Sequence, residues 1–146
     1  MTDEELKESY FKSEPIPEHI LEHMEHCRQQ HMEVPDEKLI KRPSQIAGIR
    51  EAGRINTLVL DAVAKEIHDG MSTQEIDDIV AKVTKDNDAI CACLGFEGYP
   101  KNVCTSINDE VCHGIPARHR KIHDGDIINV DCTTIYHSYY GDASRM

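Results

Sequence analysis

Two carboxylates and one imidazole in the last third of this 146-residue chain could do chemistry together. Asp131 lies inside Ile127-Ile128-Asn129-Val130-Asp131-Cys132-Thr133-Thr134-Ile135. Strand alternation puts Ile128, Val130, Cys132 and Thr134 on one face, and Asn129, Asp131 and Thr133 on the other. Asp is depleted in strand interiors, so this carboxylate either faces water or is held by something positive; from the strand alone, water is the simpler expectation. Asp142 follows Tyr139-Tyr140-Gly141, and a hairpin return near His137-Ser138 would bring it beside Asp131. Carboxylates about 4 Å apart repel by roughly 4 kcal/mol at an effective dielectric of about 20. Such a pair needs a proton or a cation between its members, and hard oxygen donors suit divalent first-row metals at a hydrolytic site. His113, in Val111-Cys112-His113-Gly114-Ile115-Pro116, sits at an expected strand end with room to face a cleft. Taken alone, a buried histidine bonded to a backbone carbonyl is the simpler reading.

Other candidate ligands are weaker. The cysteines are Cys27, Cys91, Cys93, Cys104, Cys112 and Cys132. Cys91 and Cys93 form a CxC rather than the CxxC of a zinc ribbon, and no second pair completes it. Without a secretory signal, reduced thiols are expected. His19, His23 and His26 share one helical face and could touch a metal, but a solvated surface helix is the simpler reading.

Those side chains must be carried by elements. Residues 1–40 read as an acidic appendage of net charge −7, broken at Pro15, Pro17 and Pro35 around a polar helix over 18–33. The main domain, 41–146, opens with a helical stripe through Ile46, Ile49, Gly53, Asn56, Leu60, Val63 and Ile67. Gly53 should permit close packing, and Asp69-Gly70 should stop the helix. Ser72 with Glu75 reads as a capping box for a second helix reaching Asp86. From Ala89 the pattern turns to β, with runs at 89–96, 103–107, 111–113 and 127–136 separated by turn signals. Two helices followed by strands give an α+β domain with helices packed on one face of an antiparallel sheet.

Composition limits the partners. A net charge of −11 disfavours nucleic acid and anionic membrane. No apolar run approaches the roughly 20 residues that span a bilayer. The acidic start at Met1–Glu5 is not that of a signal peptide, so a cytoplasmic protein is expected.

The combination is more specific than its parts. GFEGYPKNVCTSINDEVCHGIP over 95–116, DGDIINVDCT over 124–133 and YYGDASRM over 139–146 resemble type I methionine aminopeptidases. The order agrees, and so do the intervals of eighteen residues from His113 to Asp131 and eleven from there to Asp142. The resemblance covers about 41–146 and corresponds to the family's amino-terminal half. It implies half of a pita-bread fold, which is built from two pseudo-symmetric αββ halves.

It further implies removal of the initiator methionine from nascent polypeptide N-termini, a ribosome-associated role, and two divalent ions (Co, Mn, Fe or Zn). Asp131 matches the aspartate that chelates one metal, Asp142 the bridging aspartate, and His113 the histidine at the reacting carbonyl. Cys93, Phe96, Tyr99 and Cys104 fall where the family lines its methionine pocket. Phe96 replaces a tyrosine of some relatives, and Glu97 stands where a histidine is common. The family's remaining ligands, one His and two Glu, come from its second half, after the point matched by Met146. The chain alone is therefore expected to be an inactive fragment. Two rival readings are a non-catalytic peptide-binding or scaffold protein of the same fold, and a prolidase-like aminopeptidase.

Overall fold

The computed structural model describes residues 14–146. The acidic start read above lies outside them. The chain divides into two compact units, one ending at Gly48 and the other Ile49–Met146.

The first unit carries α1 (Glu18–Gln29), which opens directly after Pro17, and a short 3-10 turn at Glu37–Leu39. Pro17 lacks an N–H and cannot continue a helix backwards. Arg42 is buried, and its guanidinium donates to the backbone carbonyls of Glu14, Glu37 and Ile40. The charge is thereby spread over three carbonyl dipoles. His23 and His26 on α1 contact Cys27 and Gln30 within their own helix, as a solvated surface helix would.

Helix α2 (Pro43–Glu66) and helix α3 (Thr73–Asp86) precede the strands β1 (Ile90–Cys91), β2 (Cys104–Ile107), β3 (Ile128–Tyr136) and β4 (Tyr139–Arg145). All pairings are antiparallel. β1 and β2 lie end to end along one edge of β3, and β4 takes its other edge. His137 and Ser138 both have positive φ, 46° and 65°, which gives the two-residue turn whose twist suits a hairpin. Val130, Cys132 and Thr134 of β3 are buried, as the alternation required. Val130 and Cys132 join Val59, Leu60, Val63, Ile76, Val80 and Val103 in the core.

The face of α2 that is buried differs from the expected stripe. Ala52, Ile55, Asn56, Val59, Leu60 and Val63 are buried, whereas Ile46 and Ile49 are exposed. Asn56, the polar exception, accepts a hydrogen bond from Thr134 of β3 at 2.9 Å. The close approach belongs to Gly141 of β4: a Cβ there would lie 2.4 Å from the Ala52 carbonyl carbon and 2.5 Å from the Gly53 nitrogen. A Cβ on Gly53 itself would meet open space. Glycine is needed on the strand, so that the helix backbone can sit on it.

Helix α2 ends at Glu66, ahead of the expected stop. Gly70 (φ 80°) instead turns the chain so that its N–H reaches the Ile122 carbonyl at 2.8 Å. The capping box at Ser72 and Glu75 is present in full. Two β expectations need correction. Within 89–96 only Ile90–Cys91 is strand, because left-handed Gly95, Glu97 and Gly98 coil the chain away from β3. Residues 111–113 are irregular, with Val111 94% exposed.

Candidate functional site

Strand register decides where the carboxylates go. Asp131 pairs with Cys104 on one side and Ser144 on the other, and Thr133 pairs with Asp142. Asp131 and Thr133 share the face away from the helices, so Asp142 is the diagonal neighbour of Asp131. Such diagonals are about 7–8 Å apart at the backbone, within reach of side chains. Thr133 donates its hydroxyl to Asp142 at 2.9 Å and orients that carboxylate. The Asp131 carboxyl is pushed above the usual carboxylate range by its partial burial and by the charge of Asp142, against a smaller opposing pull from His113. Asp131 is thus half-buried beside a second carboxylate, not set in open water.

His113 is held by its neighbour. The Gly114 carbonyl accepts from Thr105 N–H at 2.8 Å and its N–H donates to the Ser106 hydroxyl at 3.1 Å, which locks Gly114 onto β2. A Cβ on Gly114 would lie 2.0 Å from the Thr105 oxygen. The simpler reading of a buried histidine fails here: His113 is exposed, takes φ 57°, and turns towards a cleft.

That cleft holds about 430 Å³, and its walls include Cys93, Phe96, Tyr99, Cys104, His113 and Ile115. Glu97, Gly98 and Pro100 complete the rim. Tyr99 donates its hydroxyl to the carbonyls of Val103 at 3.0 Å and Gly114 at 3.2 Å, tying the loop that carries it to the loop that carries His113. Burial, then the Cys104 sulfur, raises the Tyr99 phenol, and burial raises the Cys93 thiol to about 11. Cys93 and Tyr99 are therefore held uncharged, in walls rich in sulfur and aromatic carbon.

Asp77 was not singled out from the sequence. It is 3% exposed on α3, and its two oxygens accept from the backbone N–H and the side-chain amide of Asn102, at 2.7 and 2.9 Å. This bidentate contact pins the stretch between Tyr99 and Cys104 to the helix. A signal existed: Thr73, Ile76, Asp77, Val80 and Thr84 form the buried stripe of α3, and a carboxylate inside such a stripe demands partners.

The donors at Asp131 and Asp142 suit a hard divalent ion, since two nearby carboxylates are stabilised by a cation between them. The set stops there. Among the described residues, no three His, Cys, Asp or Glu gather closely enough to hold a metal ion.

Helices on one face of an antiparallel sheet, with Asp131, Asp142 and a cleft on the other, make an α+β scaffold with an open, carboxylate-bearing face. Residues 47–146 match the model of metallopeptidase family M24, and the chain belongs to that family. Within it, the chain is 48% identical to "Methionine aminopeptidase A" of Synechocystis over 101 residues, 69% of this chain and 40% of that protein. It is 44% identical to the methionine aminopeptidase of Escherichia coli K12 over 108 residues, 73% of this chain and 41% of the relative. The methionine aminopeptidase structure from Rickettsia prowazekii superposes with a TM-score of 0.71 at 36% identity, covering 73% of this chain and 43% of that one. The prolidase from Pyrococcus furiosus shares the fold, with a TM-score of 0.61 at 23% identity over 73% of this chain and 32% of its own. The architecture is that of the pita-bread enzymes, and the chain spans about two fifths of the length of the methionine aminopeptidases it matches.

Proposed function

We propose that this chain supplies the amino-terminal half of a methionine aminopeptidase, acting in the cytoplasm on the N-termini of nascent polypeptides as they leave the ribosome. The observation that carries this reading is an apolar, sulfur-lined cleft with His113 in its wall, whose Cys104 pairs across the strands with Asp131, the diagonal neighbour of Asp142. An unbranched thioether suits walls of Cys93, Phe96, Tyr99 and Cys104. His113, set in a left-handed turn at the cleft, would hydrogen-bond the first peptide group and its tetrahedral intermediate. Asp131 and Asp142 would hold divalent ions, with Thr133 fixing the second carboxylate. When bound, such ions polarise the scissile carbonyl and make water nucleophilic. With two carboxylates alone the set falls short of a hydrolytic site, so the chain by itself should turn nothing over.

The test has two arms. Purified chain, loaded with Co, Mn, Fe or Zn, should release no methionine from a Met-Ala-Ser peptide; release at an ordinary enzymatic rate would overturn the inactive-fragment reading. Co-expressed with a second half supplying one His and two Glu, it should bind metal and cleave Met-Ala but not Xaa-Pro peptides. There Asp142→Asn should abolish metal and activity more completely than Asp131→Asn. His113→Ala should keep metal and lose turnover by roughly 10²–10³-fold, as for a lost oxyanion donor. Loss of metal in His113→Ala with retention in Asp142→Asn would reverse these roles. The shortage of ligands among the described residues favours one rival, a peptide-binding scaffold without catalysis. Peptide binding without metal or turnover in the co-expressed pair would select it.

A further inference from the structure

Two strands that end and begin at one point on β3 bring two thiols together. Ala92 donates its N–H to the Thr133 carbonyl at 2.9 Å, so the chain leaves β3 at Thr133 and Cys93 follows one residue later. β2 opens on the same edge with Cys104 paired to Asp131, the adjacent residue of β3. The excursion 94–103 therefore leaves and returns at neighbouring positions. Both residues line the cleft, and the Cys104 side chain lies close enough to the Cys93 thiol to help raise it. Both are free thiols, Cys93 half-buried and Cys104 buried.

We propose that Cys93 and Cys104 are a modification site, forming a reversible disulfide across the cleft when the chain meets hydrogen peroxide. The more accessible Cys93 sulfur attacks the peroxide; an S–O bond forms, the O–O bond breaks, and the leaving hydroxide takes up the thiol proton as water. The Cys104 sulfur then attacks the sulfenic sulfur; the S–S bond forms, the S–O bond breaks, and a second water departs with the Cys104 proton. Both sulfurs are oxidised and one peroxide is reduced to water. Because Cys93 is half-buried, the reaction is slower than oxidation of the exposed Cys112. The product replaces two separate cleft-lining thiols by a bridge. This inference rests on the shared cleft and on the adjacent exit and return of the excursion along β3, and it holds whether or not the chain serves an aminopeptidase.

The test uses the full chain, reduced and then treated with excess hydrogen peroxide, alkylated and digested with trypsin without reduction. Fragments 86–101 and 102–118 should appear cross-linked through Cys93 and Cys104, and dithiothreitol should separate them again. Cys93→Ser, at a half-buried position, should abolish the link, as should Cys104→Ser where it folds. Linkage through Cys91 or Cys112, survival of the link in Cys93→Ser, or Cys93 oxidised to the sulfinic acid beside a free Cys104 would each overturn the proposal. So would both thiols remaining alkylatable after Cys112 is fully oxidised.

Discussion

At the scale of single residues, the site depends on a few backbone and carboxylate contacts that hold reactive groups in place. Gly114 is the sharpest case, because its missing side chain lets the 113–114 peptide lie against β2. An added methyl would overlap the Thr105 carbonyl, which is backbone and cannot swing aside. Gly114→Ala should therefore destabilise the chain by more than about 4 kcal/mol, the range reserved for severe steric or packing faults. Urea melts followed by circular dichroism check this; a variant as stable as wild type would show that the loop relaxes freely. Asp77 acts by attraction instead. Its buried carboxylate accepts two hydrogen bonds from Asn102 and so fixes the wall that leads to Cys104.

At the scale of elements, three short devices set the register. The His137-Ser138 turn places Thr133 opposite Asp142, Gly141 seats α2 on β4, and the Ser72–Glu75 box starts α3. Ser72→Ala should cost roughly 1 kcal/mol, the usual worth of an N-cap side chain. Its pH dependence has a definite sign. Hydrogen bonds from the Ser72 hydroxyl and N–H hold Glu75 below its ordinary value of 4.5. A lowered carboxyl contributes stability above its unfolded value, and that contribution is lost as pH falls through the folded one. The gap in melting temperature between wild type and Ser72→Ala should be full above about pH 4.5 and shrink below it. A gap constant down to the acid limit would remove the hydrogen-bonded carboxylate as its cause.

At the scale of the whole molecule, apolar surface remains uncovered. Ile90, Leu94, Phe96, Val111, Ile115, Ile127 and Met146 are exposed, Phe96 by 68%. Among the described residues β4 pairs with β3 alone, leaving its outer edge able to template another strand. Exposed apolar area and a free edge both favour association. The chain should self-associate with rising concentration despite its net charge of −11. Sedimentation velocity across a concentration series checks this; a monomer throughout, unfolding cooperatively, would mark a self-sufficient fold.

Much of this was legible in the residues themselves. Period-two alternation in β3 separated the buried Val130, Cys132 and Thr134 from Asp131. Serine and glutamate three apart marked the start of α3, and the spacing of His113, Asp131 and Asp142 pointed to the family. These are local or periodic properties, set by chain geometry over a few residues. The tertiary structure alone decided the rest. It chose which of two adjacent stripes of α2 would be buried, because Gly141 and Thr134 of β4 and β3 offer a seat only to Ala52 and Asn56. It made 111–113 a loop, because Gly114 pairs with β2 while His113 takes a left-handed turn. It also gave Asp77 its purpose, through a partner 25 residues away on the chain. Such choices depend on contacts between segments distant in sequence, and periodicity within one segment carries no record of them.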